Sequence, residues 1–85
     1  MQALLTELAA RPGCSDSGSN TAYAPQSQVG EVFRNVTSLT VDDATGDLLI
    51  VDSRATGNTY RIAIVSGEKV EVSLEPGSAD SSSSR

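Results

Sequence analysis

Histidine and tryptophan are absent, and Cys14 is the one cysteine among 85 residues. Each absence removes a class of chemistry. Without an imidazole the commonest general base, and the usual activator of a serine or cysteine nucleophile, is missing. A zinc centre of the Cys/His kind has no ligand set, and one cysteine cannot close a disulfide within the chain. Aromatic side chains amount to one Phe and two Tyr. A chain this short buries roughly 60% of its unfolded surface, so small domains usually need a staple. With disulfide and zinc removed, association is the staple left. Six Lys and Arg stand against eleven Asp and Glu, a net charge of −5. That balance argues against a phosphate-binding surface, which rests on clustered cations. No apolar run approaches the ~18 residues that span a bilayer. The N-terminus has no basic segment followed by an apolar one, so a secretory signal is not expected.

What is present centres on Leu39-Thr-Val-Asp-Asp-Ala-Thr-Gly-Asp-Leu-Leu-Ile-Val-Asp52. Leu39 and Val41 alternate with Thr40, a period of two suited to a pleated strand. The connection is built of Asp, Thr and Gly, and Gly46 can take positive φ without a Cβ clash. Leu48-Leu49-Ile50-Val51 is too short for a helix and fits a strand covered on both faces. The stretch therefore predicts a β-hairpin. Leu48 and Ile50 point one way, Leu49 and Val51 the other, so the second face needs a cover from this chain or another.

The chain divides by composition into four parts. Residues 1–11 predict a short helix whose Leu4, Leu5, Leu8 and Ala9 form one stripe, with Glu7 and Arg11 spaced to pair. Pro12-Gly13 stops it, and its length demands a docking surface, on the chain's own core or on a neighbouring subunit. Residues 12–28 are small and polar and predict a flexible arm or linker, with Cys14 exposed in it. Residues 29–75 predict the β domain. Val29 to Val41 reads as one long strand or two short ones, with a bulge near Ser38 to restore phase. Tyr60, Ile62 and Ile64 alternate with polar or small residues, as do Val70, Val72 and Leu74. Lys69, Glu71 and Ser73 on this last strand would guard a sheet edge. Residues 76–85, with four consecutive serines, predict a disordered tail.

Motif-level chemistry is sparse. Asp16-Ser17-Gly18 resembles the Asp-Ser/Thr-Gly signature of aspartic proteases, which requires a buried loop between apolar strands. Asp42, Asp43, Asp47 and Asp52 gather round the hairpin, but without the twelve-residue spacing and closing Glu of a calcium loop. They read as turn caps. Asn35-Val36-Thr37 matches a glycosylation acceptor. No phosphate loop or dinucleotide motif is present. No residue is assigned a catalytic, cofactor-binding or metal role, and no cofactor is expected.

Two fold resemblances rest on longer stretches. Residues 39–52 followed by Tyr60-Arg-Ile62 look like one blade of an NHL or YWTD-type β-propeller, which implies a unit that must associate. Residues 60–74 are similar to the last strands of an initiation-factor-type OB-fold, which implies nucleic-acid binding.

The expected fold is mainly β: a small antiparallel meander of four or five strands, sandwich- or barrel-like, with a short N-terminal helix and a disordered C-terminal tail. The expected function is non-enzymatic: a structural or interaction subunit of a homo-oligomer or larger assembly, such as a virion cement or decoration protein. Its interface residues would be Leu4, Leu5, Leu8, Leu49 and Val51. The alternatives are a small acidic module or inhibitor docking on a basic partner site, and an OB-like nucleic-acid binder. Neither nucleic acid nor membrane is the favoured partner, and a virion is the one setting suggested.

Overall fold

The computed structural model describes residues 3–18, 20–55 and 57–75; the serine-rich tail lies outside them. The chain runs through α1 (Ala3–Ala9), β1 (Ser15–Asp16), β2 (Thr21–Pro25), α2 (Gln26–Val32), β3 (Val36–Val41) and β4 (Leu48–Asp52). A 3-10 turn (Ser53–Ala55), β5 (Tyr60–Ser66) and β6 (Lys69–Leu74) complete it. The six strands form one antiparallel sheet in the order β1-β2-β6-β5-β4-β3. The fold is mainly antiparallel sheet with a short N-terminal helix.

The hairpin lies where the connection of Asp, Thr and Gly predicts it. Asp42 N–H donates to the Asp47 carbonyl at 2.8 Å, and Gly46 N–H to the Asp42 carbonyl at 2.7 Å. The Asp42 carboxylate accepts the Ala44 amide at 3.0 Å, and Gly46 takes φ +81°. The register slips between Val36 and Ser38, the bulge the phase change demanded.

Three expectations are corrected. The segment read as a linker supplies β1, β2 and the start of α2. In β2 the small Ala22 and Ala24 face the core while Tyr23 turns outward, its hydroxyl donating to Glu71 at 2.9 Å. Low hydrophobicity misled here because alanines let helices approach a sheet closely. Val29 to Val32, read as strand, belongs to α2, whose buried Val29 and Val32 are three apart on one helical face. Finally, β6 is no edge: β2 pairs along its whole length, from Thr21 with Ser73 to Pro25 with Lys69. The sheet is also open, which separates it from a closed OB barrel, and its extra strands and helices separate it from a lone propeller blade.

Both helices lie on one face. Leu4, Leu5 and Leu8 of α1, with Val29, Val32 and Phe33 of α2 and its end, bury against Ala22, Ala24, Ile50, Tyr60, Val70, Val72 and Leu74. Phe33 and Tyr60 meet edge to face at 5.0 Å. The α1 stripe thus covers the chain's own sheet. That takes Leu4, Leu5 and Leu8 out of the expected intersubunit surface, because a seven-residue helix gains its stability only by docking and finds its dock in cis.

Candidate interaction surface

The helical layer is narrower than the sheet. Six strands at about 4.8 Å spacing span roughly 24 Å, whereas a helix with its side chains is about 10 Å across. α1 and α2 sit toward the β1-β2-β6 side, and the far end stays bare. Strand pairing lays out the consequence in three rows on the inner face. Ala24, Val70 and Ile64 form one row. Ala22, Val72, Ile62, Leu48 and Val41 form the second, and Leu74, Tyr60, Ile50 and Leu39 the third. Every row passes from buried to exposed along its length. In the first, exposure goes from 1% at Ala24 to 73% at Ile64; in the second, from 0% at Ala22 to 53% at Val41. In the third it goes from 6% at Leu74 to 62% at Leu39.

Between the bare end and α2 lies a groove of about 420 Å³. Leu48, Ile62, Ile64 and Val70 line it on the sheet, Gln26 and Val29 on the helix, and Thr45 to Asp47 on the hairpin turn.

Beside the bare face runs the free edge of the sheet. All six residues of β3 are exposed, and Val36-Thr-Ser-Leu-Thr-Val41 carries neither charge nor proline. Those are the devices that usually blunt an edge, and the single bulge near Thr37 is the protection β3 has. At the opposite edge β1 is two residues long. Charge begins just outside β3, at Arg34 before it and at Asp42 and Asp43 after it. Arg34 and Asp43 are exposed, and neither makes an ion pair among the described residues.

Two acids of the hairpin, Asp42 and Asp47, are instead held by Arg61. Arg61 on β5 meets Asp42 at 2.9 Å, Asp47 at 2.9 Å and Glu75 at 2.5 Å. The hydrogen bonds that Arg61 donates to these carboxylates, Glu75 first, then Asp47 and Asp42, raise the guanidinium pKa, so Arg61 is charged at any working pH. In return the Arg61 side chain, and then the Ala44 amide, hold the Asp42 carboxyl below its usual range. Among the described residues no group of three or more Cys, Asp and Glu is arranged to hold a metal ion.

The remaining sequence candidates fall into place around this. Leu49 and Val51 are half-buried on the outer face, where pairing sets Leu49 between Thr40 and Arg61 and Val51 beside Ser38. They are not brought together with the α1 stripe, which lies buried against the inner face. Cys14 is half-buried against the core, and burial raises its thiol pKa more than nearby Arg11 lowers it, which opposes thiolate formation. Asp16 lies exposed on β1, not in the buried loop a protease carboxylate requires. Glu7 lies 4.0 Å from Arg54 and Arg11 donates to Gln28, so the expected Glu7–Arg11 pair is replaced by contacts between elements. Leu39, Val41, Ile62 and Ile64 were legible as strand residues but not as surface. The available signal was the shortness of the N-terminal helix relative to the sheet it has to cover.

No protein-family model, curated protein or solved structure matches the chain. Among the described residues no helix is long and apolar enough to cross a membrane.

Proposed function

We propose that this chain is a non-enzymatic interaction subunit that works in an assembly, with the bare β3 end of the sheet as its contact surface. One observation carries the reading: three adjacent rows of apolar side chains run from burial to exposure, and two of them end at Val41 and Leu39 on an edge strand without charge. Contiguous exposed apolar surface on a soluble chain marks a contact site. The core is small, and covering Leu39 and Val41 would add the apolar burial that the two short helices leave undone. A homo-oligomer, or a layered assembly such as a virion cement or decoration shell, is the setting this surface suits.

The geometry gives less to the other readings. Asp42, Asp47 and Glu75 are held by Arg61, so that acidic cluster is not free to dock on a basic partner. Arg54 and Arg61 are engaged within the fold, which leaves the sheet without a basic face for nucleic acid.

Light scattering after size exclusion, from micromolar to millimolar chain, tests the proposal. A mass above the 8.8 kDa chain that rises with concentration is expected. Leu39→Lys should return it to the monomer with an unchanged circular dichroism spectrum. A wild-type chain that stays monomeric throughout overturns the oligomer reading.

A further inference from the structure

We propose that the partner at this surface is a second copy of the chain, joined antiparallel through β3 about a two-fold axis at Leu39, so that two six-stranded sheets become one. The inference rests on the oligomer reading above and specifies its geometry.

Face matching limits the register, and the charges flanking β3 select among those it allows. Strand partners must point their side chains to the same face of the joined sheet. Setting Leu39 opposite its own copy pairs Ser38 with Thr40 of the second copy, and both of these lie on the outer face. Val36 lies on the inner face, because it pairs with Asp52 one step beyond the bulge. If the partner strand follows the same bulge, Val36 then falls opposite Val41, which also faces inward. The same one-residue step sets Arg34 opposite Asp43 at each end. The exposed cation and the exposed anion that flank β3 without an ion pair among the described residues therefore find each other twice in one dimer. A parallel pairing would instead place Arg34 beside Arg34 and the Asp42–Asp43 pairs beside each other.

Burial and closure agree with this arrangement. Val36, Leu39 and Val41 are 42%, 62% and 53% exposed in the single chain, and pairing gathers six such side chains at the centre of the inner face. The contact is isologous, so it closes at two copies. Growth from the other side would need an edge, and β1 offers two residues there. The net charge of −5 opposes indiscriminate association, which leaves a charge-free strand with complementary ends as the place where copies meet.

The test is a charge swap on the full chain, read as the dimer dissociation constant by sedimentation. Arg34→Asp and Asp43→Arg should each weaken the dimer about tenfold, since each removes two pairs and adds two repulsions. Arg34→Asp combined with Asp43→Arg should return within about threefold of wild type. Ile64→Lys, on the same face but two strands in from β3, should leave the dimer intact. Thermal melts of the dilute variants show that each still folds, and hydrogen exchange gives a second readout: amides of β3 should become protected as concentration rises. A dimer broken by Ile64→Lys but indifferent to the charge swap overturns edge pairing in favour of stacked faces, and the oligomer reading stands. Singles that weaken without rescue by the double also overturn it. A monomer at every concentration overturns both.

Discussion

The Asp52 carboxylate accepts the backbone amide of Arg54, two residues along, at 2.8 Å, while the Arg54 guanidinium donates to the Val32 carbonyl at the end of α2. Asp52 is fully buried, and its second oxygen takes the Asn35 amide at 3.3 Å. One carboxylate thus ties the end of β4 to the following turn and to the residues leading into β3. Arg54 extends the tie to α2 and, through Glu7 at 4.0 Å, to α1. Asp52→Ala would strand two amides and leave the Arg54 charge without this partner. A loss of about 3 kcal/mol is expected from urea unfolding, and about 1 kcal/mol for Asp52→Asn, which keeps an acceptor in place.

The same contact predicts the acid limb of stability. Burial alone would raise the Asp52 carboxyl, but hydrogen bonds from the Arg54 amide and side chain and the Asn35 amide together outweigh it and hold the pKa below its usual value. A carboxyl depressed in the folded state binds fewer protons there than in the unfolded state. Its contribution is present in full above the unfolded pKa of about 4 and is lost as pH falls through the folded value. Urea midpoints should therefore hold steady from pH 7 to pH 5 and drop toward pH 3. In Asp52→Asn the drop should be shallower. An acid limb of the same slope in the variant would assign it to other carboxylates.

Sheet, hairpin and bulge were legible because each has a local cause: alternation in β5 and β6, the Asp-, Thr- and Gly-containing turn at 42–47, and the phase slip before Leu39. The β2 strand was not legible, because Thr21-Ala-Tyr-Ala-Pro25 owes its place to small side chains beneath two helices, a tertiary reason that hydrophobicity does not register. The order of strands was hidden for the same cause: once β2 is missed, β6 looks like an edge. The face expected to need a cover is not the one left bare. Leu49 and Val51 lie on the outer face beside Arg61 and threonine, whereas the uncovered surface is on the helix side, at Leu39, Val41 and Ile64.

Core truncation separates the two roles considered for the N-terminal stripe. Leu5 is fully buried against the chain's own sheet. Leu5→Ala should cost about 3 kcal/mol, from lost transfer energy and the cavity left behind. In a cis-docked helix this loss appears in urea unfolding of dilute monomer and does not change with chain concentration. Were the stripe an arm on a neighbouring subunit, the cost would appear in the dimer constant instead, and the dilute chain would unfold at the wild-type midpoint.

Arg61 gives the last prediction, because it gathers three carboxylates from two loops onto one strand. Asp42 and Asp47 frame the hairpin turn and Glu75 follows β6, so the guanidinium links the turn to the end of the sheet. Arg61→Met keeps the aliphatic stem and removes the charge, leaving like charges side by side. Amide exchange at 42–47 should quicken several-fold, while the core strands β5 and β6 keep their protection because their pairing does not depend on this side chain. Salt gives the complementary experiment. Raising it to 1 M shortens the screening length to about 3 Å, which should quicken exchange at the wild-type turn. In Arg61→Met the same salt screens repulsion and should slow it. A salt response of the same sign in both proteins would show that the turn is held by its backbone and Gly46 alone.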